Sequence, residues 1–136
     1  MNWFLDSSIC INCLRGKTPL VKTVLQKLDP LQIKIPSMVM AELLHGAEKS
    51  ADRDRNRNLV SLFLAPFEVV AFDGRSADTY AHIRSELERQ GKVIGFNDMI
   101  IAATAMAHDG AVVSGNIKDF SRIAGLRVEN WSEVSL

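Results

Sequence analysis

The sequence lacks a net charge and long apolar runs. Sixteen Lys and Arg residues balance sixteen Asp and Glu residues over 136 positions. Because the charges cancel, no global field attracts the protein to nucleic acid or to a membrane surface, and nucleic-acid binding requires a local patch or bound cations. The apolar runs are too short to cross a membrane, and the first residues lack the basic segment of a signal peptide. We therefore expect a cytoplasmic protein with no membrane partner.

Cysteine and histidine are scarce, which disfavours a structural zinc site. Cys10 and Cys13 form a Cys-Ile-Asn-Cys motif, and the three histidines occur singly. A Cys-x-x-Cys pair is also a candidate redox motif, but such a pair needs a polar, partly exposed helix start that lowers a thiol pKa. Here the neighbours Ile9, Ile11 and Leu14 are apolar, which favours two small core residues over a redox pair.

Predicted strands and helices alternate along the chain. The apolar run 3–5 indicates a buried strand that ends at Asp6. Periodicity and Pro, Gly or Ser boundaries predict further strands at 32–35, 68–72, 111–113 and 126–129. The predicted helices are 8–14, 19–28, 38–49, 52–64, 73–90, 97–108 and 116–120. Ser8 and Ser37 are expected to cap the first and third of these helices.

This alternation determines the predicted fold class. Strands that alternate with helices imply parallel βαβ units, and hence a three-layer α/β/α sandwich around a central parallel sheet. No internal repeat, low-complexity segment or linker divides the sequence. A length of 136 residues suits one domain with a proper core, so we predict a single α/β domain over 1–136.

Three carboxylates lie where their charge needs an explanation. Asp6 ends the first strand, and ligands of open α/β sheets collect at the carboxyl ends of strands. Glu42 has apolar neighbours on both faces of its predicted helix, although a solvent-facing position on a half-buried helix is an alternative. Asp98 begins a very apolar helix, where its alternative role is capping.

A fourth group of polar residues follows the strand at 111–113. It contains Ser114, Asn116 and Asp119, for which a helix cap and a first-turn acid are the alternatives to a site. Carboxylates that converge in a crevice repel one another unless a cation compensates. Oxygen ligands alone favour Mg²⁺ or Mn²⁺ over zinc, and such a metal supports hydrolysis of phosphodiesters without a side-chain nucleophile.

Four segments of the chain resemble the PIN-domain family, and within it the VapC-type toxins of bacterial toxin–antitoxin pairs. The segments are 4–8 (Phe-Leu-Asp-Ser-Ser), 41–47 (Ala-Glu-Leu-Leu-His-Gly-Ala), 91–102 (Gly-Lys-Val-Ile-Gly-Phe-Asn-Asp-Met-Ile-Ile-Ala) and 113–120 (Val-Ser-Gly-Asn-Ile-Lys-Asp-Phe). The resemblance implies an endoribonuclease that depends on Mg²⁺ or Mn²⁺ and arrests growth by cutting RNA, often tRNA at the anticodon loop. It also implies a homodimer that a cognate antitoxin neutralises, and larger toxin–antitoxin assemblies.

The resemblance also assigns the site residue by residue. Asp6, Glu42 and Asp98 fall on the metal-site acids of the family. Asn116 falls on a fourth position that carries Asp or Asn, and Asp119 on a frequent neighbouring acid. Our mechanistic hypothesis is that Asp6 and Asp98 bind the metal, while Glu42 and Asp119 orient or deprotonate the attacking water.

Three positions depart from the family pattern. Ser7 and Ser8 replace the Thr-Asn pair that is frequent after the first aspartate, and Ser114 stands where threonine is usual. Ser7 and Ser114 are candidate substrate-binding residues, together with Arg84 and Lys92 near the helix end before the third acid. Further basic candidates for RNA binding are Lys49, Arg53, Arg55, Arg57 and Arg89.

Two other functions remain open from the residues. A phosphoacceptor receiver domain also has an acidic metal site in an α/β fold, and Asp73 follows a predicted strand as a phosphoacceptor does. Such a site needs adjacent acids at the first strand and a lysine at the last, whereas serines follow Asp6 and no lysine is in place. The other alternative is a catalytically silent module that only binds an antitoxin, which a metal titration distinguishes from a nuclease.

Overall fold

A five-stranded parallel sheet forms the centre of the computed structural model, which describes residues 1–133. The strands are β1 (Trp3–Leu5), β2 (Ile33–Pro36), β3 (Glu68–Val70), β4 (Ala111–Val113) and β5 (Val128–Glu129). Their order is β3-β2-β1-β4-β5, and every neighbouring pair is parallel. The predicted α/β class with a parallel sheet is confirmed. The single-domain prediction over 1–136 stays a prediction, and residues 134–136 lie outside the described range.

Helices connect the strands. They are α1 (Ser7–Leu14), α2 (Pro19–Lys27), α3 (Ser37–Lys49), α4 (Arg53–Leu64), α5 (Gly74–Arg89), α6 (Phe96–Ala107) and α7 (Ile117–Phe120). Short 3₁₀ turns occur at Pro30–Gln32 and Trp131–Glu133. α5 and α6 form the most extensive contact between helices. Within 1–133, no helix is long and apolar enough to cross a membrane.

Two predicted helix caps are wrong. α1 begins one residue earlier than predicted, because Asp6 rather than Ser8 is its cap: the Oδ1 atom of Asp6 accepts a hydrogen bond from the backbone N of Ile9 at 2.9 Å. Ser37 is the first residue of α3, and its Oγ atom accepts a hydrogen bond from the backbone N of Phe72 at 3.2 Å. A nearby aspartate therefore replaces Ser8 as the cap of α1, whereas the contact that engages Ser37 comes from a residue distant in sequence.

The strands at the two edges of the sheet are shorter than predicted. β3 ends at Val70 instead of residue 72, because the backbone N of Phe72 bonds to Ser37 rather than to the sheet. β5 covers two residues instead of 126–129, since the backbone of Leu126 is held in a turn by the carbonyl of Ile123. Edge strands have one neighbour only, so fewer contacts extend them.

The central strands and α6 form the core. Phe4, Leu5 and all three residues of β4 are buried, as expected for parallel strands covered on both faces. Cys10 on α1 is fully buried with them, and burial raises the pKa of its thiol well above the ordinary value. Cys13 is half-buried, and both cysteines are free thiols. A raised thiol pKa is the opposite of what a redox motif needs, so the core interpretation of Cys10 is confirmed.

Candidate active site

The carboxyl ends of β1 and β4 bring two candidate residues into contact. Asp6 follows β1 and Ser114 follows β4, and the two strands pair in register from Trp3 to Leu5. The hydroxyl of Ser114 donates a hydrogen bond to Oδ2 of Asp6. Asp6 is 4% exposed and Ser114 is fully buried. With its Oδ1 atom bonded to the backbone of Ile9, Asp6 is a buried carboxylate held at both oxygens.

Glu42 on α3 approaches this site from the neighbouring strand. α3 follows β2, which lies beside β1 in the sheet. The hydroxyl of Ser7, the residue after Asp6, donates a hydrogen bond to Oε1 of Glu42 at 2.6 Å. Glu42 is half-buried, so its carboxylate lies at the edge of the crevice rather than on a fully exposed helix face.

The remaining candidates meet around Asn116. Its Nδ2 atom donates to Oδ2 of Asp119 at 3.0 Å and lies 3.5 Å from Oδ2 of Asp98. Its backbone N donates to the hydroxyl of Ser114 at 2.8 Å. Gly95 occupies the cap position of α6, so Asp98 does not act as the cap. The structure therefore brings all five predicted catalytic residues to one edge of the sheet, in two groups that Ser114 connects.

The pKa values of Asp6 and Asp98 are both raised in this site. Burial raises the pKa of Asp6, and the charges of Asp98 and Glu42 add to the effect, against hydrogen bonds that lower it. Burial also raises the pKa of Asp98, with further contributions from Glu42 and Asp119. Neighbouring carboxylates disfavour each other's ionised forms, and a bound cation would stabilise those forms.

The donor chemistry fits a hard divalent cation. The acidic side chains that meet here offer carboxylate oxygens, which Mg²⁺ and Mn²⁺ prefer over nitrogen or sulfur ligands, and one cation, the guanidinium of Arg122, lies 3.8 Å from Asp119. Within 1–133, no three Asp, Glu, His or Cys side chains are close enough together to enclose an ion by themselves. This is compatible with Mg²⁺, because that ion usually takes one or two carboxylates and keeps several waters.

Ser7 and Ser114 are held by the site itself. The hydroxyl of Ser7 is donated to Glu42, and the hydroxyl of Ser114 lies between Asp6 and the backbone N of Asn116. Because Ser114 is fully buried, it does not offer a surface to a substrate. We therefore correct its predicted substrate-binding role to one of positioning Asp6.

Of the basic candidates, Arg84 and Lys92 lie beside the start of α6. The guanidinium carbon of Arg84 lies 4.8 Å from the ring centroid of Phe96, and Lys92 is exposed in the loop that joins α5 to α6. Sequence reasoning assigns no role to Phe96, although this first residue of α6 is 57% exposed. The sequence signal that could have identified Phe96 is an aromatic residue that stands just before the buried stretch beginning at Met99.

The other basic candidates form ion pairs on the surface. Arg53 and Arg57 of α4 lie 3.8 and 2.9 Å from the carboxylate of Glu48. Arg89 pairs with Glu86 on its own helix. These ion pairs lower the net positive charge that Arg53 and Arg57 on α4, and Arg89 on α5, offer to RNA. The two further candidates, both exposed, are Lys49 and Arg55.

Asp73 is a helix cap in this structure. Its Oδ1 atom accepts hydrogen bonds from the backbone N and the hydroxyl of Ser76 at 2.9 and 2.8 Å, and these bonds lower the pKa of Asp73. Its Oδ2 atom lies 3.2 Å from Nε2 of His108. Both oxygens are engaged, which argues against the phosphoacceptor alternative.

The buried charge of Asp6 predicts a pH-dependent stability. Its pKa is raised in the folded state, so without metal the charge destabilises the fold above that pKa, and the penalty disappears as the pH falls towards the ordinary value of 3.8. We expect Asp6→Asn to raise the free energy of unfolding at about pH 7 and to lose this advantage near about pH 4. Urea denaturation in chelator at both pH values measures the difference, and an advantage that does not change with pH contradicts the prediction.

Comparison with known proteins gives a consistent family. A family model described as the PIN domain matches residues 3–126. The chain is 35% identical to Ribonuclease VapC2 of Rickettsia felis, over 98% of this chain and all of the relative. It is 34% identical to the tRNA(fMet)-specific endonuclease VapC of Shigella flexneri, over 97% of this chain and 99% of the relative.

The fold matches a solved toxin–antitoxin complex. A chain of VapBC2 from Rickettsia felis, crystallised with a DNA fragment from its promoter, superposes with a TM-score of 0.91. The match has 34% identity and covers 96% of this chain and 99% of the other. The similarity therefore extends over both the sheet and the helices that carry the carboxylates.

Proposed function

Because the chain belongs to the PIN-domain family, and within it to the VapC-type toxins, we propose that it is a Mg²⁺- or Mn²⁺-dependent endoribonuclease of a toxin–antitoxin pair. Its reaction is the hydrolysis of RNA phosphodiester bonds, which arrests translation and growth. Its partner is a cognate antitoxin, as in the VapBC complex that it resembles. We propose that the protein acts in the cytoplasm and that it is a homodimer.

One observation supports the nuclease proposal most strongly. Asp6, Glu42, Asp98, Asn116 and Asp119 come from four separate parts of the chain and meet at one edge of the sheet. Their carboxylates repel one another, which destabilises the fold. Such a clustering of charge is typical of a functional site. Capping explains the bond from Asp6 to Ile9 but none of the contacts around Asn116.

In the proposed mechanism the side chains have distinct tasks. A divalent cation held at this site would lower the pKa of a bound water and would stabilise the leaving oxyanion. Asp6 and Asp98 hold the cation, with Asp6 fixed in orientation by Ser114. Glu42 orients the attacking water or accepts its proton, and Ser7 fixes the position of its carboxylate.

On the other side of the site, Asn116 positions two of the carboxylates. Its amide donates to Asp119 and lies near Asp98, so it places both carboxylates while adding no negative charge itself. Asp119 also lies 3.8 Å from the guanidinium of Arg122. We propose that Asp119 assists in orienting the water, as Glu42 does from the other side of the crevice.

The substrate proposal rests on the relatives and on the local charge. One relative is named a tRNA(fMet)-specific endonuclease, and we propose tRNA, cut at the anticodon loop, as the substrate class for this chain. Arg84, which lies over Phe96, and Lys92, in the loop before α6, are proposed to contact RNA phosphates. Mapping the ends of cleaved RNA after induction, with Asp6→Asn as the control, tests both activity and substrate.

Metal binding is expected to stabilise the fold. A ligand that binds only the folded state raises the melting temperature, so Mn²⁺ or Mg²⁺ should raise it by several degrees at saturating concentration. Asp98→Asn should remove most of this shift, because it deletes a proposed ligand and one of the repelling charges. Differential scanning calorimetry with and without metal measures the effect.

A matched variant controls for surface charge. Asp54→Asn removes an exposed first-turn aspartate of α4 and should leave the metal-induced shift unchanged. If the wild-type protein shows no shift with either metal and cuts no RNA, the catalytically silent antitoxin-binding module becomes the better explanation.

A further inference from the structure

An exposed aromatic–arginine cluster lies next to the carboxylate site. We call it the Phe96 cluster; it consists of Tyr80, Arg84 and Phe96. Arg84 lies over the ring of Phe96 with its guanidinium carbon 4.8 Å from the centroid, and its Nη1 donates to the hydroxyl of Tyr80 at 3.3 Å. Tyr80 and Arg84 are four residues apart on α5, so they share one helix face. The guanidinium is thereby held in a fixed plane.

The apolar ring of Phe96 is exposed to water, unlike most later side chains of α6. Its side chain is 57% exposed, whereas most of the following residues of the helix are buried. An exposed aromatic ring that already carries a guanidinium on its face is typical of a surface that receives a planar group. Val93, in the loop before α6, is also exposed.

The position relative to Asp98 defines what such a surface can bind. Phe96 and Asp98 are two residues apart, so their Cα atoms lie within about 7 Å of each other, a span of about two nucleotides. Residues two apart on a helix point to different faces. Asp98 faces Asn116, while Phe96 faces Arg84. The ring therefore lies beside the reaction centre and not in it.

We propose that the Phe96 cluster is a binding subsite for an unpaired nucleobase of the RNA, next to the bond that is cut. The base stacks on the exposed part of the Phe96 ring, and Arg84 and Lys92 supply positive charge for the adjoining phosphates. Proteins that bind single-stranded RNA combine stacking on aromatic rings or guanidinium planes with basic side chains in this way. The subsite rests on the proposed ribonuclease function and adds a substrate-binding residue to it.

The charge of the cluster favours RNA over a protein partner. Arg84 lies over the ring and Lys92 is exposed in the loop that precedes α6, while the carboxylate of Glu88 lies 3.8 Å from Arg84. In a two-fold symmetric interface of this surface with a second copy of the chain, the like charges of Arg84 and Lys92 would lie against each other. RNA phosphates are the complementary ligand.

Binding measurements in an inactive background test the subsite. In Asp6→Asn, a fluorescein-labelled, mixed-sequence, single-stranded oligoribonucleotide is titrated and followed by anisotropy. Phe96→Ala should weaken binding by about tenfold, the scale of one lost base–aromatic stack. Phe96→Tyr keeps the ring and should restore the affinity. Leu31→Ala removes a side chain that is 75% exposed on the 3₁₀ turn before β2 and should have no effect.

A series of oligonucleotides with one abasic position identifies the stacked base. When one particular position is abasic, the affinity of the parent protein (Asp6→Asn with Phe96 intact) should fall to the affinity of Phe96→Ala for the intact oligonucleotide. The affinity of Phe96→Ala itself should not fall further at that position. Arg84→Lys keeps the charge but not the planar guanidinium, so it should weaken binding to the intact oligonucleotide.

Three outcomes overturn the subsite. They are equal affinities of the parent and Phe96→Ala, no binding by the parent, and a loss of affinity that accompanies a change from dimer to monomer in light scattering. The last outcome assigns the surface to a protein interface. RNA cleavage that depends on Asp6 but shows no effect of Phe96 rejects the subsite alone. Binding that depends on Phe96 without any cleavage rejects the proposed function and leaves the subsite.

Discussion

Asp6→Asn is expected to reduce RNA cleavage on the order of a thousandfold, the scale of losing a group that acts on the reacting atoms. Asparagine removes the charge that the proposed cation needs, while it occupies almost the same volume. The charges of Asp98 and Glu42 remain, but neither lies at the centre of the site between β1 and β4. Cleavage of labelled RNA under single-turnover conditions measures the loss.

The fold should survive this change. The Oδ1 atom of Asp6 accepts from the backbone of Ile9 as the cap of α1, and asparagine caps helices as well as aspartate does. The asparagine amide can also donate to the hydroxyl of Ser114. Circular dichroism and urea denaturation should therefore show a folded protein with wild-type cooperativity.

Asp73→Asn is the matched control. Asp73 is also the cap of a helix and also accepts from the backbone three residues later, at Ser76. It belongs to no part of the carboxylate site, so this variant should cut RNA at the wild-type rate. Near wild-type cleavage by Asp6→Asn, or an equal loss in Asp73→Asn, would refute the assignment of Asp6.

Gly110→Ala is expected to destabilise the fold by about 3 kcal/mol, at the upper end of the usual cost of overpacking a core. A Cβ atom at Gly110 would overlap the ring of Phe4 and lie 3.0 Å from the carbonyl oxygen of Asn2. Phe4 is 1% exposed in the central strand β1, so its ring has little room to move. The backbone N of Gly110 also bonds to the carbonyl of Ala105 at 2.8 Å, which restrains the turn.

Gly46→Ala is the matched control for this change. Gly46 lies inside α3, and a Cβ atom there meets no atom within 4 Å. The same substitution should then stabilise the protein by about 0.5–1 kcal/mol, because alanine is the better helix former. Urea denaturation of both variants compares them directly. Equal effects at the two positions would show that contact with Phe4 does not limit residue 110.

Most of the fold could be predicted because its signals are local. The apolar runs that became β1 and β4, the proline at the start of α2 and the glycines that separate later elements each act within a few residues. The five carboxylate and amide candidates were also identifiable, since each follows a strand or interrupts an apolar helix. Local pattern failed at two helix caps: Asp6, two residues before Ser8, caps α1 instead, and the Ser37 hydroxyl accepts from the backbone N of Phe72, which is distant in sequence.

The sequence by itself determined the alternation of strands and helices, the parallel sheet and the candidate acids, because apolar periodicity and residue type are properties of short segments. Only the tertiary structure decided how these acids are held. Ser114 and Asp6 are 108 residues apart, and Ser7 and Glu42 are 35 apart, so their hydrogen bonds depend on how β4 and α3 pack beside β1. The exposure of Phe96 beside Arg84 has the same origin, since it depends on the packing of α5 against α6.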